Sequence, residues 1–97
     1  MGGTKGIRHL VLGLLTQKPM SGYDIKRFLK SVSWLIDVPS LGSLYPSLHA
    51  LLRDGLVTME VVARQDRPPR KIYTITEAGD KVLRVWLGQP ADSNVSL

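Results

Sequence analysis

The chain has 97 residues, with 13 Lys and Arg against 8 Asp and Glu, a formal net charge of +5 and no cysteine. That length leaves room for one small core and excludes a second domain, and the missing cysteines exclude a disulfide framework and thiolate metal sites while suiting a reducing cytoplasm. The longest apolar run, HLVLGLL, is too short to span a bilayer, and no cleavage site follows it, so the expected setting is soluble and cytoplasmic with no membrane partner; the basic excess suits a polyanion.

Ile7, Leu10, Val11, Leu14 and Leu15 recur at helical spacing, which predicts a first helix ending before Pro19. Ser21 then opens SGYDIKRFLKSV. Its hydroxyl is placed to cap the N–H three residues on, Asp24 suits the positive helix end, and Ile25, Phe28, Leu29 and Val32 form the inward stripe of a second helix. SWLIDVP reads as a packed turn whose Trp34 or Leu35 plugs the core. The third helix is expected from Ser40 to near Asp54, with Leu41, Leu44, Leu48, Leu51 and Leu52 inward and Gly55 as its left-handed stop.

Leu56 to Ala63 and Lys71 to Ile75 are rich in Val, Ile, Thr and Tyr and predict a β-hairpin, with RQDRPPR as a long basic tip. Thr76 caps a fourth helix, TEAGDKVLRVWL, with Glu77 and Asp80 in the first turn and Val82, Leu83, Trp86 and Leu87 inward; Gly88 and Pro90 end it. Residues 1–88 are thus expected to form the domain, and 89–97, without periodicity, a linker or frayed end. The predicted class is mainly α with a β-hairpin, α+β, in the order helix, helix, helix, strand, strand, helix. This is the layout of a winged helix-turn-helix.

The front of the third helix is unusual. Pro46 lies within its first turns, where the earliest N–H groups have no intrahelical acceptor, and the face away from the leucines carries Ser43, Pro46, Ser47 and Ala50. Small residues there let the backbone approach a groove or phosphate; the competing reading is that they only start a helix and cover inert surface. Tyr45 and Tyr23 are either core-flanking or phosphate-reaching. Lys26, Arg27 and Lys30 are either a solvated face or backbone contacts. At the hairpin, Arg64, Arg67, Arg70 and Lys71 against Asp66 put three net positive charges on eight residues, a density that attracts a polyanion.

Gly42-Ser43-Leu44-Tyr45-Pro46 resembles the Gly, Thr or Ser, Leu, Tyr, Pro signature of the PadR family of bacterial transcriptional regulators. Ser21-Gly22-Tyr23-Asp24-Ile25 is similar to that family's His-Gly-Tyr start of helix two, Arg67 to Tyr73 to its wing, and Thr76-Glu77-Ala78-Gly79 to the start of its fourth helix. Ser21 replaces the usual His, and the chain stops where family members continue into dimerising C-terminal helices. The resemblance implies a repressor that reads a palindromic operator in double-stranded DNA as a homodimer, weakly paired if those helices are missing, with room for a small-molecule effector. The implied DNA contacts are Ser40, Gly42, Ser43, Tyr45, Pro46 and Ser47 on helix three, Tyr23 and Lys26 on helix two, and Arg64, Arg67, Arg70 and Lys71 on the wing.

No cofactor, metal or catalytic site is expected. His9 and His49 lie in different helices with no Cys or clustered carboxylates beside them, and no Gly-rich phosphate loop follows a strand. Trp86 is most simply core, although aromatic groups near a dimer interface could line a pocket for a planar effector. The rival function is a winged helix used only for protein interaction, which an acidic or apolar wing would favour.

Overall fold

The computed structural model describes residues 3–35 and 41–88. Helix α1 spans Gly3–Leu15, a two-residue strand β1 Met20–Ser21, and helix α2 Gly22–Val32. A 3-10 turn, Leu41–Ser43, leads into helix α3, Leu44–Arg53; the hairpin strands are β2, Val57–Arg64, and β3, Arg67–Ile75; helix α4, Glu77–Trp86, closes the domain. This is the predicted α+β winged-helix order with one element added. β1 pairs antiparallel with β3, Met20 opposite Tyr73 and Ser21 opposite Ile72, giving a three-stranded sheet in the order β1-β3-β2. Two residues are too few to show a strand period, so β1 exists only because β3 offers it an edge.

The helix ends are local chemistry. Ser21 Oγ accepts from Asp24 N–H at 3.0 Å, as its spacing predicts. At the end of α3, Gly55 takes φ +76°, its N–H donates to Leu52 O at 3.1 Å, and Leu56 N–H donates to Leu51 O at 2.9 Å. That pair of bonds is a Schellman stop, which satisfies two carbonyls a helix end would otherwise leave bare. Thr76 then works in two directions: Oγ1 accepts from Gly79 N–H at 3.0 Å to start α4 and donates to Gly55 O at 2.8 Å. Thr76 N–H also reaches Leu56 O at 3.0 Å, so the end of α3 and the start of α4 are tied together. Gly79 permits this, because a Cβ there would lie 2.1 Å from Leu56 O.

The core is formed by Ile7, Val11, Leu12 and Leu15 of α1, Ile25 and Leu29 of α2, Leu44, Leu48 and Leu51 of α3, with Val57, Tyr73 and Leu83 from the sheet and α4. It differs from the expected core at its margins. Leu12 is buried, because α1 is covered by both α3 and α4 and its apolar arc is wider than one stripe. Phe28, Val82 and Leu87 are exposed, Trp86 is 52% exposed, and Trp34, expected to plug the core, is 81% exposed with Leu35 beside it. A domain this thin has one interior layer, which Leu83 alone reaches from the apolar face of α4.

The third helix starts later than expected. The stretch from Leu41 to Ser43 is a 3-10 turn, and Pro46 is the third residue of α3, where its missing N–H has no intrahelical acceptor to lose. Ser40, the 36–39 part of the expected packed turn and the 89–97 tail lie outside the described residues. The hairpin is also tighter than expected. Its tip is Gln65-Asp66, with Asp66 at φ 60°, and RPPR belongs to β3. Val62 pairs with Arg70 and Arg64 with Arg67, so Pro68 and Pro69 together face Ala63 in a bulge. Proline cannot donate to a ladder, and a bulge is where a strand accommodates it.

Candidate nucleic-acid interface

The start of α2, the front half of α3 and β3 enclose an open cleft of about 660 Å³. Tyr23 and Arg27 enter it from α2, Tyr45 and His49 from α3, and Arg64, Arg67, Arg70 and Lys71 from the hairpin, with Asp24 as its one carboxylate among the described residues. The two helical pairs share a spacing of four residues, which sets Tyr23 and Arg27 on one face of α2 and Tyr45 and His49 on one face of α3. Arg27 also lies over the Tyr23 ring, 5.7 Å from its centroid, so the tyrosine holds the guanidinium at the cleft edge.

Tyr45 is both packing residue and cleft wall. Its ring covers Gly22 so closely that a Cβ there would sit 2.9 Å from Cε1. A glycine at the start of α2 therefore lets α3 seat against α2. Tyr73 forms the buried floor of the cleft; burial, and secondarily the neighbouring Tyr45, push its phenol above the usual 10.0.

The expected contacts divide into three groups. Tyr23, Tyr45, Arg64, Arg67, Arg70 and Lys71 converge on the cleft. Gly42 and Pro46 are exposed and Ser43 is half-buried at the front of α3, while Lys26 is exposed but does not line the cleft. Ser47 is the correction: it is 0% exposed, and its Oγ is buried with no hydrogen-bond partner among the described residues. Leu44, Ser47, Leu48 and Leu51 are spaced i, i+3, i+4, i+7, so Ser47 sits within the buried stripe, and its polar side chain disguised that position. It is no part of an approach surface.

The arginines of the hairpin differ in freedom. Arg70 forms an ion pair through Nη2 with the Asp24 carboxylate and donates to Ser21 Oγ at 3.2 Å, clasping β3 to the cap of α2. Arg64 Nε donates to Pro68 O at 3.0 Å across the bulge. Arg67 and Lys71 are exposed and make no ion pair among the described residues. Arg27, which the sequence left between a solvated face and backbone contacts, and His49, outside the expected contacts, both line the cleft; the four-residue spacing from each tyrosine is the signal that places them.

Among the described residues no group of His, Asp or Glu is arranged to hold a metal ion. His9 instead stacks on Trp86, far along the chain from His49. No helix among the described residues is long and apolar enough to cross a membrane.

Residues 11–85 match the model of the transcriptional regulator PadR-like family. The negative transcriptional regulator PadR of Bacillus subtilis is 30% identical over 81 residues, which cover 84% of this chain and 44% of that protein. Its structure with operator DNA has a TM-score of 0.75 at 30% identity, covering 82% of this chain and 46% of that one. With p-coumaric acid the values are 0.71, 29%, 90% and 44%. The PadR-like regulator BC1756 of Bacillus cereus is 38% identical with a TM-score of 0.73, covering 88% of this chain and 48% of that one. The chain thus spans about half the length of these relatives. With four sequence motifs, the winged-helix order and a family match across most of its length, this chain belongs to the PadR-like family of transcriptional regulators.

Proposed function

We propose that the chain is the DNA-binding domain of a transcriptional repressor that reads a palindromic operator as a dimer. The front of α3 enters the major groove of double-stranded DNA, and the β2–β3 hairpin lies along the backbone as a wing. The observation that carries this reading is the cleft itself: Arg27, Arg64, Arg67, Arg70 and Lys71 converge on one concave face with a single carboxylate, and two tyrosines stand among them. A face so charged gains affinity for phosphates by releasing their counterions.

Within that interface Gly42, Ser43 and Pro46 present a low surface to the groove, and Tyr23 and Tyr45 have phenols that reach phosphate oxygens. Arg67 and Lys71 contact the backbone. Arg70 and Asp24 set the angle between wing and helices. The reading also supports a non-enzymatic protein working in the cytoplasm, where its DNA is. Support for the operator and for repression comes from the Bacillus subtilis relative, solved with operator DNA and named a negative regulator. That protein's complex with p-coumaric acid supports a small-molecule effector here as well.

The test is selection from a random duplex pool at near-physiological salt, about 150 mM, followed by sequencing of the retained fragments. An enriched motif, as a half-site or a palindrome, is the expected result. Retention without any motif, or no retention, would leave the reading without its central claim.

A further inference from the structure

The outward face of α3 carries few groups that can tell one base pair from another. Leu44, Ser47, Leu48 and Leu51 are turned into the core, which leaves Gly42, Tyr45, Pro46, His49 and Arg53 on the exposed side. Gly42 and Pro46 have no side-chain donor or acceptor. Tyr45 is committed sideways, its ring lying over Gly22 at the seam with α2. Arg53 ends the helix, and its Nε donates to Asp54 at 3.2 Å, a carboxylate that also holds Arg8.

His49 is different. It lies one turn beyond Tyr45, about 6 Å further along the helix axis, exposed on the cleft wall and with no hydrogen bond or ion pair among the described residues. The cations of the cleft stand elsewhere: Arg27 on α2, and Arg64, Arg67, Arg70 and Lys71 on the hairpin. They are placed for the phosphate strand that the cleft receives, whereas His49 belongs to the helix that fills the groove. Its ring is the uncommitted polar group in the middle of that helix.

We infer that His49 is the side chain of α3 that selects operator sequence, by donating a ring N–H to the major-groove edge of a guanine at one position in each half-site. This rests on the DNA reading above and names the residue that discriminates within it. An imidazole presents at least one N–H whether neutral or charged, so it always has a donor to offer. Guanine meets that donor with two adjacent acceptors, N7 and O6, where adenine sets an amino donor beside its N7. A phosphate contact from the same position would carry no sequence information, which separates the two roles experimentally.

The parent chain and His49→Ala are each used to select from a random duplex pool, and the parent motif is then remade as labelled duplexes for anisotropy titration. In these duplexes the guanine concerned is kept, replaced by 7-deazaguanine, which lacks the N7 acceptor, or changed to an A·T pair. The expected motif of His49→Ala matches the parent motif except that one guanine per half-site is no longer preferred. On the parent chain the A·T pair weakens binding roughly tenfold and 7-deazaguanine weakens it part of the way, while His49→Ala binds all three duplexes alike. A variant motif identical to the parent motif overturns the inference and leaves the DNA reading standing. So does a uniform loss of affinity with a smaller salt slope, the mark of a phosphate contact. A lost position that is not guanine overturns it too, as does 7-deazaguanine bound as tightly as guanine by the unchanged chain. If the parent itself enriches no motif, the DNA reading fails and takes this inference with it.

Discussion

Arg67→Gln and Arg70→Gln remove the same formal charge from the same strand, yet the structure assigns them opposite signatures. Arg67 stands exposed at the hairpin tip with no ion pair among the described residues, whereas Arg70 is held by the Asp24 carboxylate and Ser21. On a duplex of random sequence, every phosphate that the protein ceases to neutralise lowers the slope of log K against log salt by roughly 0.9. Over a fourfold change of salt, that difference amounts to a factor of about 3.5. The deficit of Arg67→Gln against the parent should therefore shrink by about 3.5-fold between roughly 50 and 200 mM salt. Arg70→Gln should keep the parental slope and bind more weakly at every salt, because it frees the wing from α2 and bares the Asp24 carboxylate in the cleft. Adding Asp24→Asn to Arg70→Gln should recover part of the loss. Anisotropy titrations of a labelled random duplex at several salt concentrations measure all three. Equal falls in slope would show that Arg70 leaves Asp24 for a phosphate and refute the clasp; no change in either would remove the hairpin from the interface.

Thr76→Ala removes the α4 cap and the bond to Gly55, and should lower stability by about 1–2 kcal/mol in urea unfolding. Gly79→Ala should cost more, about 3 kcal/mol, since the Leu56 carbonyl 2.1 Å from the new methyl is backbone and has to move; an unchanged midpoint would contradict the close approach. Ser47→Leu should destabilise or unfold the domain because its site is fully enclosed, while Ser43→Leu, at a half-buried position, should melt nearly as the parent does and bind DNA poorly. Tyr73 has its folded-state pKa raised above 10.0, so the unfolded chain ionises first on the alkaline side. Its contribution is complete below pH 10.0 and is lost as pH rises through the folded value, so Tyr73→Phe should flatten the alkaline fall in melting temperature.

Whatever depends on neighbours three or four residues apart was determined by the sequence. The caps at Ser21 and Thr76, the glycine stop at Gly55, the tolerance of Pro46 in the first turn of α3 and the order of the elements are of this kind, because each is a bond or spacing within one turn. The family signature was legible for the same reason, as it is made of such short segments. Ser47 belonged to this class too: its spacing from Leu44 and Leu51 marked it as buried, and only its residue type suggested otherwise.

Tertiary structure alone decided the rest. Arg70 finds Asp24 across 46 positions, and no local pattern distinguishes it from Arg67, three residues earlier in the same strand. β1 becomes a strand only against β3, and the two prolines enter β3 only because a bulge opposite Ala63 receives them. The apolar stripe of α4 predicts burial, but a helix buries only what a neighbour covers. Here α1 covers Leu83 and offers Trp86 nothing deeper than the flat face of His9. Periodicity specifies which side chains share a face; the packing of distant segments determines whether that face meets a core, a ligand or water.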